Sequence, residues 1–251
     1  MPTLLSSLLD LILAPVCLGC DGPIAAGDTS RLVCKVCRSR LVPLPAPRCQ
    51  RCGAPRLRTG REVEPRCGEC EGWPPSLRVA RSAWLLHPPA DRLVHQLKYR
   101  GWRALAGPMG EWLAALPLPD DVEEEARIVV PVPTTTTRLR ERGYNQAELI
   151  ARAFARCTGR RILPALARAS AATTQTVLQP AARGANVAGA FRPTGVGERE
   201  IRGQHLLLVD DVLTTGATAV ECTRTLVAAG ARCVSVITFA RALDARRLTA
   251  T

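Results

Sequence analysis

The chain has 251 residues, 47% of them hydrophobic, and a formal net charge of +12. That length leaves room for one large or two modest domains with a real core, and no run reaches the roughly 20 apolar residues of a membrane span. Leu4 to Leu13 is apolar but short and lacks a preceding basic residue, so it is a poor signal peptide. Leu4, Leu5, Leu8 and Ile12 share one helical face, which predicts a helix docked on a core. A membrane-surface anchor is disfavoured because that helix has no basic face.

Eight of the eleven cysteines then form four CxxC pairs: Cys17/Cys20, Cys34/Cys37, Cys49/Cys52 and Cys67/Cys70. Cys17-Leu18-Gly19-Cys20-Asp21-Gly22-Pro23 and Cys49-Gln50-Arg51-Cys52-Gly53-Ala54-Pro55 repeat one design, a CxxC followed by a turn with Pro at the same offset. Thiolate pairs at this spacing predict a tandem repeat of two Cys₄ zinc sites, closed and therefore structural. Iron–sulfur ligation is the competing chemistry, but regular twin pairs suit zinc better. Interleaved pairing, with Cys17/Cys20 and Cys49/Cys52 on one metal, stays open. Paired CxxC without a secretory signal points to metal in a reducing cytoplasm rather than to disulfides. Cys157, Cys222 and Cys233 are expected to be buried thiols.

The charge is unevenly spread. Residues 1–75 hold 10 basic and 7 acidic side chains. Eight thiolates and two Zn²⁺ would take that module from +3 to about −1. Residues 76–251 hold 24 basic and 15 acidic side chains, an excess of +9. A basic zinc finger gripping DNA is therefore not what the first module describes. Eight arginines fall within residues 138–168 against Glu141 and Glu148, a cluster suited to polyanions. Compositional bias contributes too, since Lys supplies only two of the 34 basic residues.

After Trp73-Pro74-Pro75 the pattern becomes an alternation of strands and helices, so domains are expected at 1–75 and 76–251. Val79–Leu86 reads as a strand, Ala90–Lys98 and Arg103–Leu116 as helices, and Pro117–Glu125 as a polar loop. Ile128–Val132 reads as a buried strand, Thr134–Gly143 as a loop, and Asn145–Cys157 as a helix. Leu206–Val209 and Val234–Phe239 complete the strands. Alternation of this kind predicts a mainly parallel α/β sheet with ligands at the strand C-termini. Tyr99, Trp102 and Tyr144 could stack on bases, but with so few aromatics a core or packing role is expected for each. His87, His95 and His205 show no partner pattern and are given no catalytic role.

The segment His205-Leu206-Leu207-Leu208-Val209-Asp210-Asp211-Val212-Leu213-Thr214-Thr215-Gly216-Ala217-Thr218 carries the most chemistry. An apolar strand ending in a small hydroxyl-rich turn offers backbone N–H groups and Thr hydroxyls at a helix N-terminus, a cradle for phosphate. Two carboxylates at its mouth can accept hydrogen bonds from vicinal sugar hydroxyls. One loop can therefore hold ribose 5-phosphate by both ends.

This string resembles the phosphoribosyl-diphosphate (PRPP) loop of type I phosphoribosyltransferases. The resemblance implies that Asp210 and Asp211 are the catalytic pair on the ribose hydroxyls. It also implies that Val212 and the turn Leu213, Thr214, Thr215, Gly216, Ala217 and Thr218 hold the PRPP phosphate. Further stretches resemble the ComF/GntX family. These are Lys98-Tyr99-Arg100-Gly101, and Pro131-Val132-Pro133 with Arg138 and Arg142-Gly143-Tyr144-Asn145-Gln146-Ala147-Glu148-Leu149. Gln175-Thr176, Arg183, Asn186 and Ala190-Phe191 complete the set.

The fold so implied is a type I phosphoribosyltransferase-like domain preceded by a small double zinc ribbon. In that architecture Arg138, Arg140, Arg142 and Gly143 would meet the diphosphate, residues 169–186 would close over the site, and magnesium would accompany PRPP. The family link implies handling or uptake of single-stranded DNA in natural transformation, with DNA and DNA-uptake proteins as partners. The alternative is an active transferase with a small acceptor. Against it, only ten residues follow Arg241 and no base-reading motif is visible, although residues 76–120 or the zinc module could form a hood.

Overall fold

The computed structural model describes residues 15–56, 58–59, 62–63, 67–169, 189–195 and 197–243. The expected helix over residues 4–13 and residues 170–186 of the expected closing loop lie outside them. The two cysteine modules come first. The short helix α1 (Lys35–Ser39) is capped by the Cys34 side chain, and β1 (Arg58–Thr59) pairs with β2 (Glu62–Val63) inside the second module.

The remainder is built on a five-stranded sheet. Its strands are β3 (Leu77–Leu85), β4 (Ile128–Pro131), β5 (Arg161–Ile162), β8 (His205–Leu213) and β9 (Cys233–Arg241), in the order β3-β9-β8-β4-β5. Every neighbouring pair is parallel. A small antiparallel pair, β6 (Leu166–Arg168) and β7 (Phe191–Pro193), stands apart. The helices are α2 (Ala90–Tyr99), α3 (Ala106–Ala114), α4 (Asp120–Glu125), α5 (Thr136–Arg142), α6 (Gln146–Thr158), α7 (Gly197–Glu200) and α8 (Ala217–Ala228). A 3₁₀ turn over Arg103–Leu105 leads into α3.

The strands read as continuous apolar runs because both faces of a parallel sheet are covered. Alternation along β8 sends Leu207 and Val209 to one face and Leu206 and Leu208 to the other. The first pair joins a core with Leu93 and Leu97 of α2, Met109 and Leu113 of α3, and Phe154 of α6. Cys17, Leu18, Ile24 and Val33 of the first cysteine module enter that same core. The second pair joins Cys222 and Leu226 of α8, together with Cys52, Cys70 and Trp73 of the second module. Each module therefore seals one face of the sheet.

Four expectations change. Residues 120–125 form a helix, because Pro119 precedes three acids in its first turn, where the helix dipole favours negative charge, and Val122 is buried. Residues 136–142 form a helix within the expected loop: the Thr135 side chain accepts from the Arg138 amide, and Gly143, at φ 74°, ends it. Of the three scattered cysteines only Cys222 is buried, whereas Cys157 is exposed and Cys233 half-buried. Tyr144 is in the core at 6% exposure, but Tyr99 at 61% and Trp102 at 45% are on the surface.

Candidate functional site

Chain direction sets the site. From β4 the chain moves outward to β5, and from β8 it moves the other way to β9. The crevice between the C-terminal ends of β4 and β8 is thus a topological switch point, where open α/β sheets bind ligands. A cavity of about 490 Å³ opens there, in the range of small-molecule sites. It is lined by Asp210, Asp211, Thr214 and Thr218 from the end of β8 and its loop, and by Pro133, Thr134 and Arg138 after β4. Arg168 of β6 and Asp91, His95, Lys98 and Tyr99 of α2 close the rest.

The loop after β8 owes its shape to Gly216, which caps α8 in the left-handed conformation at φ 82°. Only glycine adopts this geometry without strain. Thr215 Oγ1 accepts from the Ala217 amide at 3.4 Å. The loop therefore opens directly onto the positive end of a 12-residue helix.

The two carboxylates are unlike. Asp210 Oδ1 accepts from the Asp211 amide at 2.8 Å. Burial, and then the charge of Asp211, push its pKa up to about 7 despite the nearby Lys98 and Arg168. Asp211 takes the Lys98 ammonium at 3.0 Å on Oδ1. Its Oδ2 is buried with no hydrogen-bond partner among the described residues. A buried carboxylate oxygen without a donor is costly in isolation and calls for a hydroxyl or a cation.

The basic residues divide. Arg138 lines the cavity, as does Arg168, which lay in the arginine cluster but not among the expected contacts. Arg140 is exposed away from the cavity. Arg142 turns to Gln146 Oε1 at 2.9 Å and lies over the Tyr99 ring at 4.9 Å. Helix α5 explains this: positions 138 and 142 share a face, and 140 lies opposite. Gly143 ends the helix, and a side chain there would meet the Arg103 guanidinium at 2.8 Å.

The α2 wall was missed as a set, though its signal was present. Asp91, Val94, His95, Lys98 and Tyr99 follow helical spacing and all line the cavity. The His95 and Tyr99 rings pack against each other, tilted by 44° with centroids 5.0 Å apart. His205, by contrast, is buried between Glu125 and Ser235 and is structural.

The cysteines gather in sequence, Cys17/Cys20/Cys34/Cys37 and Cys49/Cys52/Cys67/Cys70, each with ligand atoms within 4.8 Å of one another. That settles the pairing against the interleaved alternative. The sulfur separations Cys20–Cys34, Cys49–Cys70 and Cys52–Cys67 are 3.9, 3.8 and 3.6 Å. A zinc–sulfur bond of about 2.3 Å gives a tetrahedron with edges of about 3.8 Å, so both sets fit.

Their acidities agree. Burial opposes ionisation of Cys17, yet the amides of Cys34, Gly19 and Cys20 bring it down to about 7. Cys49 falls to about 7 in the same way, against burial, through the Cys52 and Arg51 amides. Burial and the neighbouring sulfurs push Cys37 and Cys70 up. Four sulfurs that resist ionising together form a donor set that a divalent cation completes.

The comparisons with known proteins agree with this anatomy. The model of the double zinc ribbon domain matches residues 8–71, and that of the phosphoribosyl transferase domain matches residues 158–249. The chain is 32% identical over 239 residues to the DNA utilization protein YhgH of Salmonella typhi, covering 91% of this chain and 97% of that one. It is 30% identical over 241 residues to YhgH of Escherichia coli (strain K12), with the same coverage. Against competence protein ComFC of Bacillus subtilis (strain 168) it is 25% identical over 241 residues, covering 89% and 93%. No helix among the described residues is long and apolar enough to cross a membrane. A double zinc ribbon joined to a phosphoribosyltransferase-like sheet, related over nearly its whole length to YhgH and ComFC, belongs to the ComF family.

Proposed function

We propose that this protein binds PRPP in the crevice between β4 and β8 and acts in the cytoplasm in the handling or uptake of single-stranded DNA. Residues 1–75 are its metal-stapled unit and 76–251 its ligand-binding unit. The observation that carries the ligand is the buried, unpartnered Oδ2 of Asp211, in one cavity with the Thr214–Thr218 loop. In this reading the loop amides and the α8 N-terminus hold the 5-phosphate. Asp210 and Asp211 accept from the ribose hydroxyls, and Arg138 and Arg168 face the diphosphate. Magnesium, when bound, neutralises diphosphate charge next to those hydroxyls. The DNA half rests on the names of the relatives, a DNA utilization protein and a competence protein, and on the basic surplus of residues 76–251.

A second reading, transfer to a small acceptor, is favoured by one feature. The cavity continues beyond the carboxylates to His95 and the exposed ring of Tyr99. Transfer would break the bond from ribose C1 to oxygen, both electrons leaving with diphosphate, while the acceptor forms the new bond at C1.

One paired experiment tests both halves. Magnesium–PRPP is titrated calorimetrically into wild type and Asp210→Asn/Asp211→Asn, and a labelled single-stranded oligonucleotide is titrated between about 50 and 200 mM salt. PRPP affinity should collapse in the double variant, and oligonucleotide affinity should fall steeply with salt. Equal PRPP affinity removes the loop assignment; absent or salt-insensitive oligonucleotide binding removes the DNA half.

A further inference from the structure

Gly216 is shaped by something outside its own loop. A Cβ built on it would fall 2.5, 2.9 and 3.1 Å from Cζ2, Cε2 and Nε1 of Trp73. The Nε1–Cε2–Cζ2 edge of the indole therefore lies directly against the Gly216 backbone. Trp73 belongs to the second zinc ribbon: it follows Cys70 by three residues, and its amide donates to the Cys70 carbonyl at 3.2 Å. It is buried, in one core with Leu213 and Ala219, which flank the loop on either side.

Two arginines brace this contact. Arg51, between the ligands Cys49 and Cys52, donates to the carbonyls of Cys70, Trp73 and Pro74 at 3.3, 3.1 and 2.6 Å. That fan fixes the strap carrying the indole to the cysteine knuckle. Arg241 lies opposite Leu213 in the β8–β9 ladder, and the Ala242 amide donates to the Leu213 carbonyl at 2.9 Å. Its guanidinium is 1% exposed and donates to the Cys52 carbonyl at 2.6 Å, with Glu69 at 3.4 Å. The second ribbon thus touches the loop at both ends, through Arg241 beside Leu213 and through Trp73 on Gly216.

We infer that Trp73 and Arg241 are positioning residues for phosphate-ester binding, and that the second zinc ribbon, through them, holds the Leu213–Thr218 loop in its ligand-ready form. This inference rests on the PRPP reading of the loop. A loop that must wrap a phosphate with its amides gains affinity from being held in that shape before the ligand arrives. An indole clamped over a left-handed glycine removes alternative loop conformations, and the two arginines fasten that clamp to the metal knuckle.

The test uses full-length protein with Trp73→Ala, Trp73→Phe, Gly216→Ala and the Trp73→Ala/Gly216→Ala pair. Each is assayed for zinc content, hydrogen exchange of the loop amides and magnesium–PRPP affinity. Trp73→Ala should keep two zinc ions per chain, speed exchange at Thr214–Thr218 and weaken PRPP about tenfold, equivalent to 1.4 kcal/mol. Trp73→Phe should keep most of the affinity. Gly216→Ala should lose more than Trp73→Ala, because it meets both backbone strain and the indole. In the double variant the steric part disappears, so the two losses should be clearly less than additive.

If Trp73→Ala sheds zinc, the same cycle run with Trp73→Phe decides. Strict additivity, or loop exchange and affinity like wild type, overturns the inference. A wild-type protein that fails to bind PRPP overturns the ligand reading instead, and the exchange measurement still judges the clamp.

Discussion

The two zinc ribbons share a ligand pattern but support opposite walls of the cavity. The first joins the core under α2, the helix that carries Lys98 and Tyr99. The second joins the core under α8 and presses on the Leu213–Thr218 loop. The third position of the repeat shows the difference. The first knuckle has Gly19, where any Cβ would meet Cys37 Sγ at 2.9 Å and Pro89 at 3.3 Å, so the ribbon lies close against the start of α2. The second has Arg51, whose guanidinium gathers the carbonyls of the Trp73 strap. A metal site that looks purely structural thus acquires a local task from the side chains between its ligands.

Arg241 should give the largest effect, since it is the buried charge that ties the sheet to the second ribbon. Arg241→Met leaves the Cys52 carbonyl without that donor and Glu69 without that cation. A loss of about 3 kcal/mol is expected in urea denaturation. A loss below about 1 kcal/mol, the level of a surface ion pair, would show that Arg241 is no brace.

A smaller effect comes from pH. The folded chain holds the Asp210 proton to about pH 7, against an ordinary value of 3.8, because burial and Asp211 oppose its charge. This group therefore supports folding most fully below about pH 4, and its contribution declines as pH rises through 7. Ligand binding has the opposite slope, because a hydroxyl or a cation needs the carboxylate. The ratio of wild-type to Asp210→Asn affinity for magnesium–PRPP should grow as pH passes from 6 to 8. A flat ratio would mean that Asp210 carries no titrating charge at the site.

Much of this was legible in the residue string. The carboxylate pair and the Thr-Thr-Gly turn are contiguous, so local chemistry was enough to read them. So were the CxxC spacings, although their grouping into two sets depended on chain folding. Helix α5 was missed despite Thr135 and Gly143 standing at cap positions, because its Arg-rich body has no apolar stripe. Only the helix shows that positions 138 and 142 share a face while 140 lies opposite. The α2 face was visible at Asp91, His95 and Lys98, but a polar stripe on a helix ordinarily means solvent. The contact of Trp73 with Gly216 spans 143 positions of sequence, and no local pattern predicts it.

The claim that the ribbons have unequal roles is tested most directly by breaking each in turn at a ligand. Cys20→Ser and Cys67→Ser are compared for zinc content and magnesium–PRPP affinity in the full-length protein. Each variant should lose about one zinc per chain, since each closed site takes four thiolates. Cys67→Ser should weaken PRPP about tenfold or more and Cys20→Ser by less than about threefold, a gap of roughly 0.7 kcal/mol or more. Equal losses, or a larger loss from Cys20→Ser, would contradict the assignment of the phosphate loop to the second ribbon.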